Sequence, residues 1–258
     1  MSIMAVERAL ILLRYITDNE DGLSIRESSR NLGYSPATVQ KIIGALKSQG
    51  YVVQDELTER YHLGPETVQL GLTALSRLDV RRVARPYLEK LSRESGETVF
   101  LAIARGHYAV YVDKVVSDQP IRMDAPIGAI RPYNCTAVGK VLLAGMTAEE
   151  IEALYKDGAF EKRTENSILD PDVMQGEVEI VREQGWAGDR EEFDNGASCV
   201  AAPIYDHEGR IVAALTISGP STRINQDLDR IIELTKSRTE EVSKEMGYNE
   251  QQVAVGAR

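Results

Sequence analysis

The stretch Ser24-Ile25-Arg26-Glu27-Ser28-Ser29-Arg30-Asn31-Leu32-Gly33-Tyr34-Ser35-Pro36-Ala37-Thr38-Val39-Gln40-Lys41-Ile42-Ile43 decides how the chain is built. Ser24 is a good N-cap, and Glu27, three residues on, completes a capping box in which each side chain satisfies a backbone N–H of the other. Gly33 suits the left-handed residue that closes a helix. Ser35 then caps again, and Pro36 stands at the first helical position, where its missing N–H costs nothing. Two helices joined only by Gly33-Tyr34-Ser35 cross steeply and project the start of the second from the surface.

Working outward, Val6, Leu10, Leu13 and Ile16 recur near helical spacing and predict a first amphipathic helix, ended by Asp18-Asn19-Glu20-Asp21-Gly22. Val39, Ile42, Ile43 and Leu46 form the apolar stripe of the third helix, closed by Gly50. Tyr51-Val52-Val53 and Arg60-Tyr61-His62-Leu63 then read as a two-stranded hairpin. Helix, helix, tight turn, helix and hairpin make a winged helix-turn-helix over residues 1–63, with DNA as the expected partner.

The stripe fixes what the third helix shows to solvent: Ala37, Thr38, Gln40, Lys41 and Ala45. Thr38 and Gln40 can hydrogen-bond base edges, glutamine bidentately to adenine. Lys41 and Ser35 suit phosphates, as do Arg26 and Arg30, a turn apart on the second helix, and Arg60 on the wing. Between Gly22 and Gln54 four basic side chains face Glu27 alone, although the 258-residue chain carries a net charge of −10. The acidic total argues against a general nucleic-acid binder; the local excess allows a specific one.

Apolar residues make 43% of the chain and charged residues 27%, which excludes collagen-like, disordered and disulfide-scaffold classes. No apolar run reaches the roughly 18 residues of a membrane span. Glu7 and Arg8 interrupt what a signal peptide would need as its apolar core. Cys135 and Cys199 cannot form a framework and read as free thiols, so a cytoplasmic protein without membrane contact is expected.

Gly64-Pro65 breaks the chain after the wing. Residues 66–78, with Val68, Leu72 and Leu75 at helical spacing, read as a connecting helix within a 64–79 linker. Its apolar face suits packing in its own domain or against a second copy, and a two-fold dimer would double the DNA contacts.

Residues 80–248 read as a separate α+β domain. Asp79–Arg93 forms a helix with Val83, Tyr87 and Leu91 on one face; strands follow at 98–104, 108–116 and near Ile121-Arg122-Met123. Helices are expected at Ala137–Ala144, Glu149–Tyr155, Pro171–Glu183 and Asp227–Met246, with a hairpin of 198–205 and 210–218 between the last two and a frayed tail from Asn249.

The chain has no Walker loop, dinucleotide glycine fingerprint, Gly-x-Ser-x-Gly or zinc-ligand spacing, so no enzyme, cofactor or metal is expected. A small-molecule-binding enzyme with a helical N-terminal appendage is the alternative. Cys199, Thr216 and Ser218 fall on consecutive strands, with Thr216 and Ser218 on one face. Such hydroxyls suit either a buried ligand or neighbouring backbone. The start of the helix at Ala137-Val138-Gly139-Lys140 offers free N–H groups and a positive dipole end to an anion.

Over residues 3–247 the chain resembles the IclR family of bacterial transcription regulators. The resemblance rests on Ala5-Val6-Glu7-Arg8-Ala9-Leu10, Leu63-Gly64-Pro65, Ala84-Arg85-Pro86-Tyr87-Leu88, Ser95-Gly96-Glu97-Thr98-Val99, Thr136-Ala137-Val138-Gly139-Lys140 and Cys199 to Tyr205 through Ile217-Ser218-Gly219-Pro220. It implies a GAF-like effector-binding domain after the winged helix-turn-helix, dimers or dimers of dimers on operator DNA, and small organic or aromatic acids as effectors. It further implies an effector site of Ala137 and Val138 backbone with Asp189, Cys199, Thr216 and Ser218. Asn134 stands where the family often has His, Ser198 where it often has Arg, and Ser28 where it usually has Leu.

Overall fold

The computed structural model describes residues 3–19, 21–75 and 79–249. The chain divides into two compact units, Met1–Leu78 and Asp79–Arg258.

In the first unit, α1 (Ile3–Thr17), α2 (Ile25–Leu32) and α3 (Pro36–Ser48) precede a hairpin of β1 (Val52–Gln54) and β2 (Tyr61–Leu63), and α4 (Pro65–Leu75) follows. Local chemistry sets the boundaries. The Glu27 N–H donates to Ser24 Oγ, the Ser24 N–H donates to the Glu27 carboxylate, and Gly33 closes α2 at φ 69°. Ser35 Oγ accepts from the Thr38 N–H at the start of α3. Leu12, Ile16, Leu23, Val39, Ile43 and Val52 share one core. Ser28 is fully buried and donates to the Ser24 carbonyl at 3.0 Å, so its hydroxyl is satisfied within the helix.

The stripe of α1 differs from the expected one. Leu12 and Ile16 are buried, whereas Val6 and Leu10 are more than half exposed. Leu10 sits roughly 200° round the helix from Leu12, so the two cannot face one core. The side chains of Leu72 and Leu75 in α4, residue Glu20 and the tail beyond Asn249 lie outside the described residues.

The second unit runs α5 (Val80–Ser95), β3 (Thr98–Arg105), β4 (Tyr108–Val115), β5 (Ile130–Pro132), α6 (Ala137–Ala144), α7 (Ala148–Lys156), α8 (Pro171–Gln184), β6 (Ala187–Arg190), β7 (Ala197–Tyr205), β8 (Ile211–Pro220), α9 (Ser221–Gln226) and α10 (Leu228–Glu245). Among the described residues its strands form one antiparallel sheet in the order β5-β4-β3-β8-β7-β6. Side chains alternate across it. Phe100, Ala102, Tyr111, Ala201 and Ala214 join the core under α6 and α8. Val99 and Leu101, pointing the other way, are equally buried because α5 and α10 cover that face at β3, β7 and β8.

Three further details depart from the sequence reading. Ile121-Arg122-Met123 is not a strand: the Met123 carbonyl accepts from the Thr98 hydroxyl at 2.6 Å and the Ile121 carbonyl from Arg223 at 2.8 Å. Side chains thus take the bonds a neighbouring strand would have taken. The buried line of α5 is Ala84, Leu88 and Leu91, while the half-exposed Tyr87 turns its hydroxyl to Glu245 at 2.6 Å. The short strand β6 and helix α9 were not expected.

Candidate functional site

The first unit offers a protruding helix start. Ser35, Pro36, Ala37, Gln40 and Lys41 are exposed and Thr38 partly so, all on the first two turns of α3. Ser35 and Thr38 hydroxyls lie 2.8 Å apart. Arg26 and Arg30 are exposed on α2. The reading-head residues therefore share one accessible region, and its polar groups point outward because Val39 and Ile43 hold the opposite side of the helix in the core.

Arg60 is placed otherwise. Half-buried, it donates from Nη2 to the Glu27 carboxylate at 3.0 Å and from Nε to the Gly22 carbonyl at 3.1 Å. Its guanidinium is committed to tying the wing to α2. Glu27 is held below the usual carboxylate range by its bonds from Ser24 and by the Arg60 charge.

In the second unit, one cavity of about 60 Å³ is lined by Ala137, Val138, Asp189, Cys199, Thr216 and Ser218, all six of the expected effector residues. That is several times the roughly 10–15 Å³ one water needs. Register explains the gathering. Thr216 pairs with Phe100, Ser218 with Cys199, and Cys199 with Asp189, so the cavity floor crosses β3, β8, β7 and β6 at two neighbouring levels on one face. Thr216 donates to the Val200 carbonyl at 2.9 Å, as the neighbouring-backbone reading expects, whereas Ser218 donates to the Cys199 thiol at 3.1 Å, a partner neither reading named.

The roof is the start of α6, and each residue of Thr136-Ala137-Val138-Gly139-Lys140 has a physical task there. The Thr136 hydroxyl accepts the Gly139 N–H at 3.1 Å. The Ala137 and Val138 N–H groups, at the first two helical positions, have no helical acceptor, and both residues line the cavity. Gly139 is obligatory, since a Cβ there would come within 2.2 Å of the Tyr133 carbonyl oxygen. Lys140, 2% exposed, donates to Glu192 at 2.7 Å and to the Gly188 carbonyl at 2.9 Å, with Glu177 at 3.4 Å. It thereby fastens α6 to β6 and the loop after it. Glu192 Oε2 is buried without a hydrogen-bond partner among the described residues.

Asp189 is buried on β6. Burial pushes its carboxyl up to about 7; the nearby Glu192 charge adds to this, while the Glu192 N–H at 2.8 Å and Lys140 oppose it. Burial likewise raises the Cys199 thiol, so it is no reactive thiolate. The two family departures in this unit are accommodated: Asn134 donates to the Glu161 and Ile168 carbonyls at 2.9 and 2.8 Å, and Ser198 meets the Ser221 hydroxyl at 3.0 Å.

Sequence reasoning missed several lining residues, notably Phe100, Tyr111, Arg131 and Phe193. Phe100 and Tyr111 stack at 4.3 Å, and the Arg131 guanidinium lies over Tyr111 at 5.0 Å and Phe193 at 4.8 Å. Alternation on the 98–104 and 108–116 strands could have placed the two rings on one face; nothing local pointed to Arg131. Among the described residues no cluster of His, Cys, Asp and Glu could hold a metal, and no helix is long and apolar enough to cross a membrane.

The family model described as bacterial transcriptional regulator IclR C-terminal matches residues 72–244, and that of the IclR helix-turn-helix domain matches residues 5–56. The chain is 31% identical over 247 residues to the HTH-type transcriptional regulator XynR of Escherichia coli K12, covering 95% of this chain and 98% of that protein. It is also 31% identical to the HTH-type transcriptional repressor AllR of the same strain, over 94% of this chain and 90% of that one. Among solved structures, HmgR of Pseudomonas aeruginosa superposes with a TM-score of 0.86 at 25% identity, covering 96% of this chain and 100% of that chain.

Proposed function

The chain belongs to the IclR family of bacterial transcriptional regulators and is a helix-turn-helix regulator, not an enzyme; on that premise we propose how its parts divide the work. Residues 1–63 read operator DNA, 64–79 connect, and 80–248 sense a small organic acid. Thr38 and Gln40 meet base edges in the major groove; Ser35, Lys41, Arg26 and Arg30 take phosphates, with Pro36 and Ala37 allowing close approach. Arg60 acts by holding the wing in place rather than by touching DNA. Two copies form the working unit, so that two recognition helices reach successive half-sites.

In the sensor, the acid's carboxylate lies against the Ala137 and Val138 N–H groups and the Ser218 hydroxyl, beside Asp189 and Cys199. Binding acts on DNA only through a difference in affinity for two arrangements of the regulator. The observation that carries this reading is the single cavity that gathers the N–H groups of a helix start with the Asp189, Cys199, Thr216 and Ser218 side chains.

The test is operator binding by fluorescence anisotropy across a salt series, with and without organic acids chosen by thermal shift. Affinity should fall linearly in log salt while the preference for operator persists. Acids that raise the melting temperature should also change operator affinity, and Ser218→Ala should abolish that response without altering affinity in the acid's absence. Sequence-indifferent binding at every salt concentration would overturn the reading.

A further inference from the structure

Resting on the reading of the cavity as an acid-binding site, we propose that Arg131 is a second anchor there and that the effector is a short dicarboxylic acid, one carboxylate on the α6 N–H groups and the other on the Arg131 guanidinium. Arg131 is the one cation lining the cavity among the described residues. It is half-buried, yet among the described residues no carboxylate lies within salt-bridge distance of it. Arg223 and Arg238, also half-buried in this unit, each have a glutamate partner. Arg131 is held instead by the flat faces of Tyr111 and Phe193, with an Nη1 bond to the Ile130 carbonyl at 2.9 Å and a side-chain interaction with the Tyr111 hydroxyl.

Stacking fixes the plane of a guanidinium while leaving its N–H edge free, which is the geometry bidentate carboxylate recognition needs. Arg163, exposed and not part of the lining, stacks on Phe193 too, at 4.7 Å, and so helps to fix the ring against which Arg131 lies. The acidic lining does not cancel this. Asp124 is taken by Lys114 at 2.5 Å, and Asp194 is exposed. Asp189 is buried, and burial favours its uncharged form. The small volume restricts the ligand to a few carbons, and within it two anionic groups have two separate donors to meet.

Calorimetric titration of the full chain with length-matched pairs, malonate against propionate and succinate against butyrate, tests this. The diacid of the preferred length should bind roughly tenfold to a hundredfold tighter than its monoacid. Arg131→Met should remove that preference while leaving monoacid affinity near its native value. Arg131→Lys, which keeps charge but not the planar fork, should retain part of it. The urea-unfolding midpoint of each variant, followed by circular dichroism, reports that the second unit is folded. Equal affinity for mono- and diacids, or a preference that survives Arg131→Met, overturns the dicarboxylate proposal and leaves the acid-binding cavity standing. Binding of neither kind of acid overturns both.

Discussion

The Arg131 guanidinium lies 4.8 Å from the Phe193 ring centroid, although the two residues belong to opposite ends of the sheet: Arg131 is on β5, one edge, and Phe193 follows β6, the other. Strands about 4.8 Å apart would put the edges of a flat six-stranded sheet roughly 24 Å from each other, beyond the reach of any side chain. The sheet is therefore curled into a half-barrel, and this contact bridges its two edges beside the cavity.

Phe193 should hold both guanidinium groups in place. Phe193→Ala is expected to destabilise the second unit by about 1–2 kcal/mol, since each cation–π contact at a partly exposed site is worth about 0.5–1 kcal/mol. Urea unfolding followed by circular dichroism measures it. No change in midpoint would show that the stack contributes nothing.

Asp189 should make the cavity sensitive to pH. Its carboxyl is raised from 3.8 to about 7, so between those values the folded chain holds more protons than the unfolded one, and stability falls as pH rises through that window. An anionic effector prefers the uncharged form, and its affinity should drop about tenfold between about pH 6 and about pH 8. Of the groups facing Asp189, Cys199 and Tyr111 are pushed up by burial and Arg131 lines the same cavity, while the Lys140–Glu192 pair lies behind. Asp189→Asn should flatten the profile, and a slope that persists in that variant would assign it elsewhere.

The Lys140–Glu192 pair should be costly to break and cheap to replace. Lys140→Met leaves Glu192 buried beside its already unpartnered Oε2, at an expected cost of about 3–5 kcal/mol. The double variant Lys140→Met with Glu192→Leu should regain most of that. A double-mutant cycle in denaturant gives the coupling.

Gly139→Ala should destabilise by about 1–3 kcal/mol, because the new methyl meets the Tyr133 carbonyl rather than a yielding side chain. The α6 N–H groups would shift with it, so organic-acid binding should weaken more than the midpoint of unfolding suggests. Unchanged acid affinity in a destabilised variant would separate the helix start from the ligand.

On DNA, Lys41→Ala should reduce the slope of log affinity against log salt by about 1, the mark of one lost phosphate contact. Gln40→Ala should relax base preference with the slope unchanged. Arg60→Ala should leave both nearly alone and instead lower the melting temperature, since its partners are Glu27 and Gly22.

What was legible in the sequence was local. The Ser24–Glu27 box, Gly33 and the Ser35-Pro36 start are decided within four residues, and the structure has them as read. The hydroxyls of Thr216 and Ser218 were legible because strand alternation is equally local. Asp189 came only through family resemblance: β6 is four residues long, contains Gly188 and has no apolar rhythm to announce it. Arg131 and Phe193 could not be read at all, because the curl of the sheet joins residues 62 positions apart in the chain. Val6 and Leu10 mark the opposite error, an apolar period that did not coincide with the buried face.

The half-barrel has a last consequence, for solubility. Its outer strands are only three and four residues long, and β5 ends in Pro132, which has no N–H to offer. A foreign strand looking for a backbone template finds almost none, so runaway polymerisation along the sheet is blocked at its origin.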